Sequence, residues 1–350
     1  MVYQDQSFDP VGAGISIFLS SYLNLRRGDK IMLRVASSDL DAENPLRKLV
    51  QIAADLNITL TTETVHESDI FDCSTLVNFD VVVYASRTQS VHKRPILEYI
   101  KSERRTTRFY RIFDFSNEIF EQCFSVDQFA LESIGSAILS NAKNTRTVRV
   151  TSDSGTNLTI KPDRDADWTH SCGMYDGVIP GVFPSGEINT FSQNISGKFI
   201  ADGSLNMNFP FDDDVRLQGR EIMLEIDEGK VRNFQCVDPL LFKMCETLMS
   251  IDNGDRVGEI GFGTNEGVHS FVPFRSHINE RVAGFHIGCG SPIQRKEYVR
   301  WKCPLHVDFI SATVKIYFDD ALVFANQRWL RTALPTPIAP ARADLFADAL

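Results

Sequence analysis

The first 145 residues alternate between two hydrophobic periods. Short runs of apolar and β-branched residues predict strands at Lys30–Val35, Ile58–Val65, Phe79–Tyr84 and Arg108–Phe115. Apolar positions that recur every three or four residues predict helices at Val11–Leu25, Asn44–Leu56 and Gln128–Ala142. Strands that alternate with helices are typical of an open sheet with mainly parallel strands. We therefore predict an α/β N-terminal domain over residues 1–145.

The pattern changes at about Thr145, where short strands and glycines begin to dominate. The predicted strands are Val148–Thr151, Leu158–Lys161, Glu187–Phe191, Gly197–Ala201, Glu221–Ile226, Lys230–Gln235, Glu259–Phe262, Gly284–Gly288 and His306–Phe318. One helix is predicted at Pro239–Ser250, and Asp227–Gly229 indicates a tight turn between two strands. The pattern predicts a β-rich α+β C-terminal domain over residues 146–331, followed by a mobile Pro- and Ala-rich tail over residues 332–350.

The composition argues against several classes of function. The 350 residues are enough for two domains. A formal net charge of −10 argues against binding to nucleic acid or to an anionic membrane. No basic run precedes an apolar stretch at the N-terminus, so no secretory signal is predicted. The seven cysteines lack CxxC spacing, which favours reduced thiols in a cytoplasmic protein.

Five side chains of the second domain form a candidate site. His306 and Asp308 are two positions apart in a predicted strand, so they project from the same face. Glu259 lies in a strand whose glycines leave room for close approach to the backbone. His286 lies in another glycine-rich strand, and Glu187 begins a strand directly after a turn.

Each of these signals has an ordinary explanation when it is taken alone, such as a buried His–Asp hydrogen bond or a solvated acid. Together, three carboxylates and two imidazoles are suited to Zn, Co, Mn or Fe(II). They exceed the four ligands of a closed structural zinc site. They would suffice for two divalent ions that share a bridging carboxylate. We therefore predict a metal site built from Glu187, Glu259, His286, His306 and Asp308.

The motifs that contain these residues resemble those of the aminopeptidase T family of metallopeptidases. The PxGE, GE, HIxxG and HxD strands of that family correspond in order to Pro184–Glu187, Gly258–Glu259, His286–Gly290 and His306–Asp308. The resemblance covers residues 20–330. It implies a homodimer with a dinuclear site of Zn, Co or Mn that removes N-terminal residues from peptides. It also implies that Glu187 or Glu259 transfers protons in catalysis.

The chain departs from that family at one functional position. The family has a catalytic tyrosine seven residues after the histidine of HIxxG, where this chain has Ile293. Tyr298 is the nearest tyrosine, but its register differs. Because the family's tyrosine assists the tetrahedral intermediate, its replacement argues against ordinary peptidase activity.

Two alternatives therefore stay open beside a metal-dependent hydrolase of a peptide or small amide. The first is a mononuclear Fe(II) ring-cleaving dioxygenase, because the 2,5-dihydroxypyridine 5,6-dioxygenases are similar to this chain and keep the HxD pair. They have histidine in place of Glu259 and lack counterparts of Glu187 and His286, so the ligand types here favour the hydrolase. The second alternative is a non-hydrolytic peptide-binding homologue in a biosynthetic pathway.

Overall fold

The structure is a computed structural model that describes residues 8–26, 28–37, 45–66, 76, 78–86, 107–175 and 180–334. The chain divides into two compact units. The first unit comprises Met1–Phe129, Gly173–Ser185 and Ala341–Leu350, and the second comprises Ala130–Cys172 and Gly186–Pro340.

The described secondary structure follows the predicted alternation with changes at the ends of elements. The strands are β1 (Lys30–Ala36), β2 (Thr59–Val65), β3 (Val81–Ala85), β4 (Arg108–Ile112), β5 (Val148–Thr151), β6 (Asn157–Lys161), β7 (Thr169–Ser171), β8 (Gly181–Phe183), β9 (Glu187–Thr190), β10 (Asn194–Ala201), β11 (Ser204–Met207), β12 (Ile222–Asp227), β13 (Lys230–Cys236), β14 (Val257–Gly263), β15 (Gly284–Gly290), β16 (His306–Ser311), β17 (Lys315–Phe318), β18 (Ala321–Ala325) and β19 (Arg328–Trp329). The α-helices are α1 (Pro10–Ile17), α2 (Leu46–Asp55), α3 (Gln128–Asn144), α4 (Pro239–Ser250) and α5 (Ile278–Arg281). Shorter helical turns are π-helical at Phe18–Tyr22 and Ile119–Cys123 and 3-10 at Arg331–Ala333.

The first unit contains a parallel sheet with strand order β2-β1-β3-β4-β8. All five residues of β3, and all of β1 after Lys30, are buried. A strand that is covered on both faces reads as a continuous apolar run, which explains why these two were recognisable in the sequence. The predicted α/β architecture with a parallel sheet is confirmed. The short strand β8 was not predicted, because its three residues carry no period and it pairs with the distant β4.

The second unit contains two antiparallel sheets. The larger has the order β13-β12-β10-β6-β5-β17-β18-β19, and the smaller has the order β11-β16-β15-β14-β9-β7. One buried apolar cluster includes residues of both sheets and of helices α3 and α4. Phe199 of the larger sheet and Phe285 of the smaller one meet edge to face, with ring centroids 5.6 Å apart. The predicted β-rich C-terminal part is confirmed.

The run His306–Phe318 was predicted as one strand but forms two. Strand β16 ends at Ser311 in the smaller sheet, and β17 begins at Lys315 in the larger sheet. Val314 and Ile316 are both buried and continue the apolar pattern across the break. The hydrophobic pattern therefore could not show where the chain passes from one sheet to the other.

The predicted tail is described only at its start. Leu334 is buried, and the side-chain amide of Asn141 donates a hydrogen bond of 3.2 Å to the carbonyl of Ala333. Residues 335–350 lie outside the described residues. In the part of the chain that the structure describes, no helix has the length and apolar character needed to cross a lipid bilayer.

Candidate metal centre

The smaller sheet of the second unit places the candidate residues on one face. Glu259 of β14 pairs with Gly288 of β15, which pairs with Asp308 of β16. Gly261 pairs with His286 in the next row of the same face. Residues directly opposite each other in antiparallel strands project to the same side, so Glu259, His286 and Asp308 share a face. The residues between them join the apolar core on the other face.

Glu187 reaches this face because a glycine turn precedes it. It is the first residue of β9 and pairs with Gly263 of β14. Gly186 has a φ of +113°, a backbone conformation that residues other than glycine rarely adopt. A Cβ added there would also lie only 2.6 Å from the Cβ of Asn265. The amide of Gly186 donates a hydrogen bond of 2.7 Å to the carbonyl of Ser171, which fixes the turn.

Two glycines make space for the polar side chains. A Cβ on Gly261 would lie 1.9 Å from Nε2 of His286. A Cβ on Gly288 would lie 2.9 Å from Oδ1 of Asp308 and 2.9 Å from the Cβ of Glu259. The glycines of these strands predicted free space beside the backbone. In the structure, the candidate side chains themselves occupy that space.

The five predicted residues converge into two groups of donor atoms. The first, the Glu187 group, consists of Glu187, Glu259 and His286. The second, the His306 group, consists of Glu259, His306 and Asp308. Within each group the donor atoms all lie within 4.8 Å of one another. Glu259 belongs to both groups, so the two are adjacent.

The donor atoms have the spacing that a small divalent ion requires. Nε2 of His306 lies 3.0 Å from Oδ1 of Asp308 and 3.2 Å from Oε2 of Glu259. Nε2 of His286 lies 3.1 Å from Oε1 of Glu187. A tetrahedral ion with ligands at about 2.0–2.1 Å holds those ligands about 3.3 Å apart. The groups could therefore take up a divalent cation with little rearrangement.

The second ring nitrogen of His306 has the partner that a metal ligand commonly has. Its Nδ1 lies 2.8 Å from the carbonyl oxygen of Ser291. Since a carbonyl only accepts hydrogen bonds, Nδ1 carries a proton, and Nε2 is directed towards Glu259 and Asp308. This arrangement fits a ligand that coordinates through Nε2.

The centre also contains charged residues that the sequence did not single out. Nη1 of Arg281 lies 2.5 Å from Oε2 of Glu187 and 3.1 Å from Oε2 of Glu280. Glu280 also accepts a hydrogen bond from the side-chain amide of Asn206, and Nδ1 of His277 lies 3.2 Å from it. Helix α5, which carries Glu280 and Arg281, has four residues and is too short for a periodic pattern. Their closeness to His286 along the chain was the available signal.

The imidazoles of the centre hold protons strongly in the absence of a metal. Burial by itself would lower the pKa of His286, but the hydrogen bond and charge of Glu187 raise it to about 9. Burial has the same effect on His306, where the charge of Asp308 and hydrogen bonds to Asp308 and Glu259 raise the pKa well above its usual value. Protons on these rings supply positive charge to a buried cluster of carboxylates.

The carboxylates differ according to their partners. Burial raises the pKa of Asp308 to about 7, against the opposing charge of His306. Burial also acts to raise the pKa of Glu187, but the charge of Arg281 and the hydrogen bond from His286 outweigh it and lower the pKa. Burial likewise opposes ionisation of Glu280, whose pKa is held well below its usual value chiefly by His277 and then by Arg281.

The charges of the centre do not balance without further cations. Its carboxylates Glu187, Glu259, Glu280 and Asp308 are all buried. When all four are ionised and His277, His286 and His306 are neutral, the Arg281 guanidinium offsets one charge and three negative charges are left. Uncompensated buried charge is costly, so protons or divalent cations must supply the deficit.

Asn189 is a further polar residue of the same face. It follows Glu187 by two positions in β9 and pairs with Gly261. Its side chain is buried, and its Oδ1 has no hydrogen-bond partner among the residues that the structure describes. A buried carbonyl without a partner is uncommon in a folded protein and indicates a group that a ligand or water satisfies.

The structure does not place Tyr298 as a substitute for the family's catalytic tyrosine. The ring of Tyr298 packs edge to face on Phe191, with centroids 6.1 Å apart. Burial and a hydrogen bond to Asp163 raise the pKa of its phenol. Ile293 is 38% exposed, and its amide donates a 3.4 Å hydrogen bond to the carbonyl of Gly258. Ile293 has no hydroxyl, and the hydroxyl of Tyr298 is hydrogen-bonded to Asp163.

Comparisons with protein families and with solved structures find proteins that are similar to this chain. The model of the family described as crocagin biosynthetic protein CgnE/B matches residues 189–319. No curated protein sequence matches the chain. The structure of 2,5-dihydroxypyridine dioxygenase from Pseudomonas putida KT2440 has a TM-score of 0.63 at 14% identity, covering 92% of this chain and 98% of that one. Wild-type AmpT from Thermus thermophilus has a TM-score of 0.57 at 14% identity, covering 92% of this chain and 99% of that one.

These comparisons establish the fold and support a distant relationship. Each match covers 92% of this chain and nearly the whole of the solved structure, so this chain shares their fold. The family match covers a part of the second unit that contains Glu259, His286, His306 and Asp308 but begins two residues after Glu187. The fold of this chain therefore also occurs in the dioxygenase and in AmpT.

Proposed function

We propose that this chain is a metal-dependent hydrolase of the aminopeptidase type, which acts on a peptide or small amide substrate at the face that carries Glu259. The observation that supports this proposal is that Glu259 belongs to two adjacent groups of donor atoms. A shared carboxylate between two sets of ligands is the arrangement expected for two divalent ions. Zn, Co and Mn suit the mixed imidazole and carboxylate donors.

The bound ions and the residues that hold them would have separate roles in catalysis. Two bound ions would polarise the substrate carbonyl and make hydroxide available at neutral pH. Glu187 and Glu259 would hold them, and one of these carboxylates would carry the proton to the leaving amine. His286, His306 and Asp308 would complete the ligand set. The unpaired Oδ1 of Asn189 would accept a hydrogen bond from an N–H group of the substrate.

The dioxygenase alternative has less support from the ligand types. Non-haem Fe(II) oxygenases use two imidazoles and one carboxylate on one face of the ion. The His306 group has the opposite ratio, with one imidazole and the two carboxylates of Glu259 and Asp308. A ring-cleaving enzyme of that kind would therefore need a histidine at the position of Glu259.

The second candidate function is binding of a peptide without hydrolysis in a biosynthetic pathway. It is favoured by the match of residues 189–319 to the crocagin biosynthetic family and by the replacement of the catalytic tyrosine by Ile293. Loss of one group that stabilises the tetrahedral intermediate commonly lowers the catalytic rate by about 100-fold or more. A protein that binds metal and peptide could therefore hydrolyse the peptide very slowly.

The deciding experiment is an aminopeptidase screen on the chelator-treated protein after addition of Zn²⁺, Co²⁺ or Mn²⁺. We expect metal-dependent release of N-terminal residues from a library of short peptides. Mass spectrometry of the peptides detects this release. Glu259→Gln is expected to lower the rate by at least about 100-fold. Glu246→Gln, an exposed acid of α4 paired with Lys243, is the matched control and should leave the rate unchanged.

The other outcomes separate the alternatives. Intact peptides together with measurable peptide binding would support the biosynthetic binding protein and contradict the hydrolase. Consumption of oxygen with Fe(II) and a dihydroxy-aromatic compound would instead support the dioxygenase.

A further inference from the structure

The two donor groups differ in the fixed charge that stands beside them. Arg281 is buried, and its Nη1 lies 2.5 Å from Oε2 of Glu187. Within the described part of the chain, Glu259 and Asp308 make their ion pairs with His306 alone. A permanent cation, Arg281, is therefore bonded to a carboxylate of the Glu187 group, whereas the ion pairs within the His306 group are made by an imidazole.

Arg281 is held in place by more than one contact. Its guanidinium also bonds Glu280, with Nη1 3.1 Å from Oε2. Glu280 is anchored in turn by Asn206 of β11 and by His277. A guanidinium so fixed cannot withdraw from Glu187 without breaking a buried ion pair, which is a costly step.

The consequence for a divalent ion follows from Coulomb's law. An ion bound to either oxygen of Glu187 at a length of about 2.1 Å would lie within about 7 Å of the Arg281 nitrogen. It would be repelled by the guanidinium and would compete with it for the same carboxylate. Among the described residues, an ion in the His306 group would meet no guanidinium paired with Asp308 or Glu259.

We propose that the two groups bind divalent ions with unequal affinity, and that Arg281 sets the difference. The His306 group takes the first ion. The Glu187 group takes a second ion on the order of 100-fold more weakly, because Arg281 already neutralises Glu187. This inference rests on the metal binding of the proposed function and adds an order of filling and the residue that controls it.

The test measures bound ions and not activity. The full chain is freed of metal with a chelator and dialysed against a series of buffered free Zn²⁺ concentrations, and the zinc per chain is determined by elemental analysis. We expect one ion to bind first and a second to bind at a free concentration about 100-fold higher. His306→Gln should abolish the first step, and His286→Gln should abolish only the second.

Arg281 is tested by two substitutions and a control. Arg281→Met removes the charge and should bring the second step to within about tenfold of the first. Arg281→Lys keeps the charge and should retain the wild-type separation. Arg220→Met removes a half-buried guanidinium that pairs with Asp213 and Asp238 in the same unit, and it should leave both steps unchanged.

Each other result has a definite meaning. Two ions that bind wild type at the same free zinc, or a folded Arg281→Met protein with the wild-type curve, would overturn the inference while leaving the hydrolase proposal intact. If circular dichroism shows that Arg281→Met does not fold, the two histidine variants still decide, because a reversed order of loss would contradict the proposal. Failure of wild type to bind any zinc would overturn both proposals together.

Discussion

At the scale of single residues, Asn189 offers a test that separates function from stability. Its buried Oδ1 has no hydrogen-bond partner among the described protein residues. A buried polar group left without any partner costs about 1–3 kcal/mol of folding free energy. We expect Asn189→Leu to raise the free energy of unfolding by about 1 kcal/mol, since an apolar side chain of similar size removes that cost. The same change should raise KM for peptides, because a hydrogen-bond acceptor is lost.

Urea denaturation and steady-state kinetics measure the two effects. Ile188→Val, on the apolar face of the same strand, is the control and should lower stability without raising KM. A loss of stability in Asn189→Leu would show that the amide has a structural role instead.

The pKa of His286 predicts how the stability of the metal-free protein depends on pH. Its folded-state pKa is about 9, and the usual value is 6.5. A raised pKa means that the stabilisation is complete below pH 6.5 and is lost as the pH rises to about 9. In the presence of a chelator we expect the free energy of unfolding to fall over this window by an amount on the order of 3 kcal/mol. His306 acts in the same direction.

Added Zn²⁺ should reverse this trend, because metal binding requires unprotonated imidazoles and so becomes stronger as the pH rises. Denaturation curves from pH 6 to 9.5, with chelator and with Zn²⁺, measure both slopes. In His286→Gln the slope of the chelated protein should become shallower. A chelated wild-type protein whose stability rises over the same window would contradict the charge state assigned to these rings.

At the scale of secondary-structure elements, two glycines of adjacent strands control the two donor groups. Gly261→Ala places a methyl group where Nε2 of His286 lies, so we expect loss of the ion held by the Glu187 group alone. Gly288→Ala presses on Asp308 and on the shared Glu259, so we expect both ions to be lost. Zinc per chain after dialysis distinguishes these outcomes.

Ile260→Val provides the matched change on the apolar face of β14, between the positions of Glu259 and Gly261. It should cost about 1 kcal/mol of stability and leave the zinc content at the wild-type value. Equal zinc content in Gly261→Ala and wild type would mean that the sheet can shift to accept the methyl group, and the packing argument would then be wrong.

At the scale of the whole molecule, metal binding should stabilise one unit and not the other. All five candidate ligands belong to the second unit. A ligand present at 100 times its dissociation constant stabilises the state that binds it by about 2.7 kcal/mol. Hydrogen exchange should therefore slow by up to about 100-fold in β14, β15 and β16 when Zn²⁺ is added, and remain unchanged in β1 and β3. The His306→Gln protein should show less protection, and equal protection of both units would contradict this assignment.

The predicted homodimer and the limits of the two domains stay predictions, and each has a direct measurement. Sedimentation velocity on the purified chain gives the mass of the particle in solution. Limited proteolysis followed by mass spectrometry gives the positions at which the chain is cut, to compare with the predicted boundaries near residues 145 and 331.

The sequence by itself determined the class of each unit and the identity of the candidate donors. Continuous apolar runs such as β3 and alternating strands such as β5 and β6 have periods that are local properties of the chain. The order of the four motifs pointed to five residues, and in the structure these residues form two adjacent groups.

Tertiary structure decided what no local pattern contains. The pairing of Glu259 with Gly288 and then with Asp308 joins strands that are far apart along the chain, so it fixed which side chains meet. The place of Arg281 beside Glu187 depends on a helix of four residues that shows no period. A buried charge is defined by its surroundings, and those surroundings exist only after the sheets have packed.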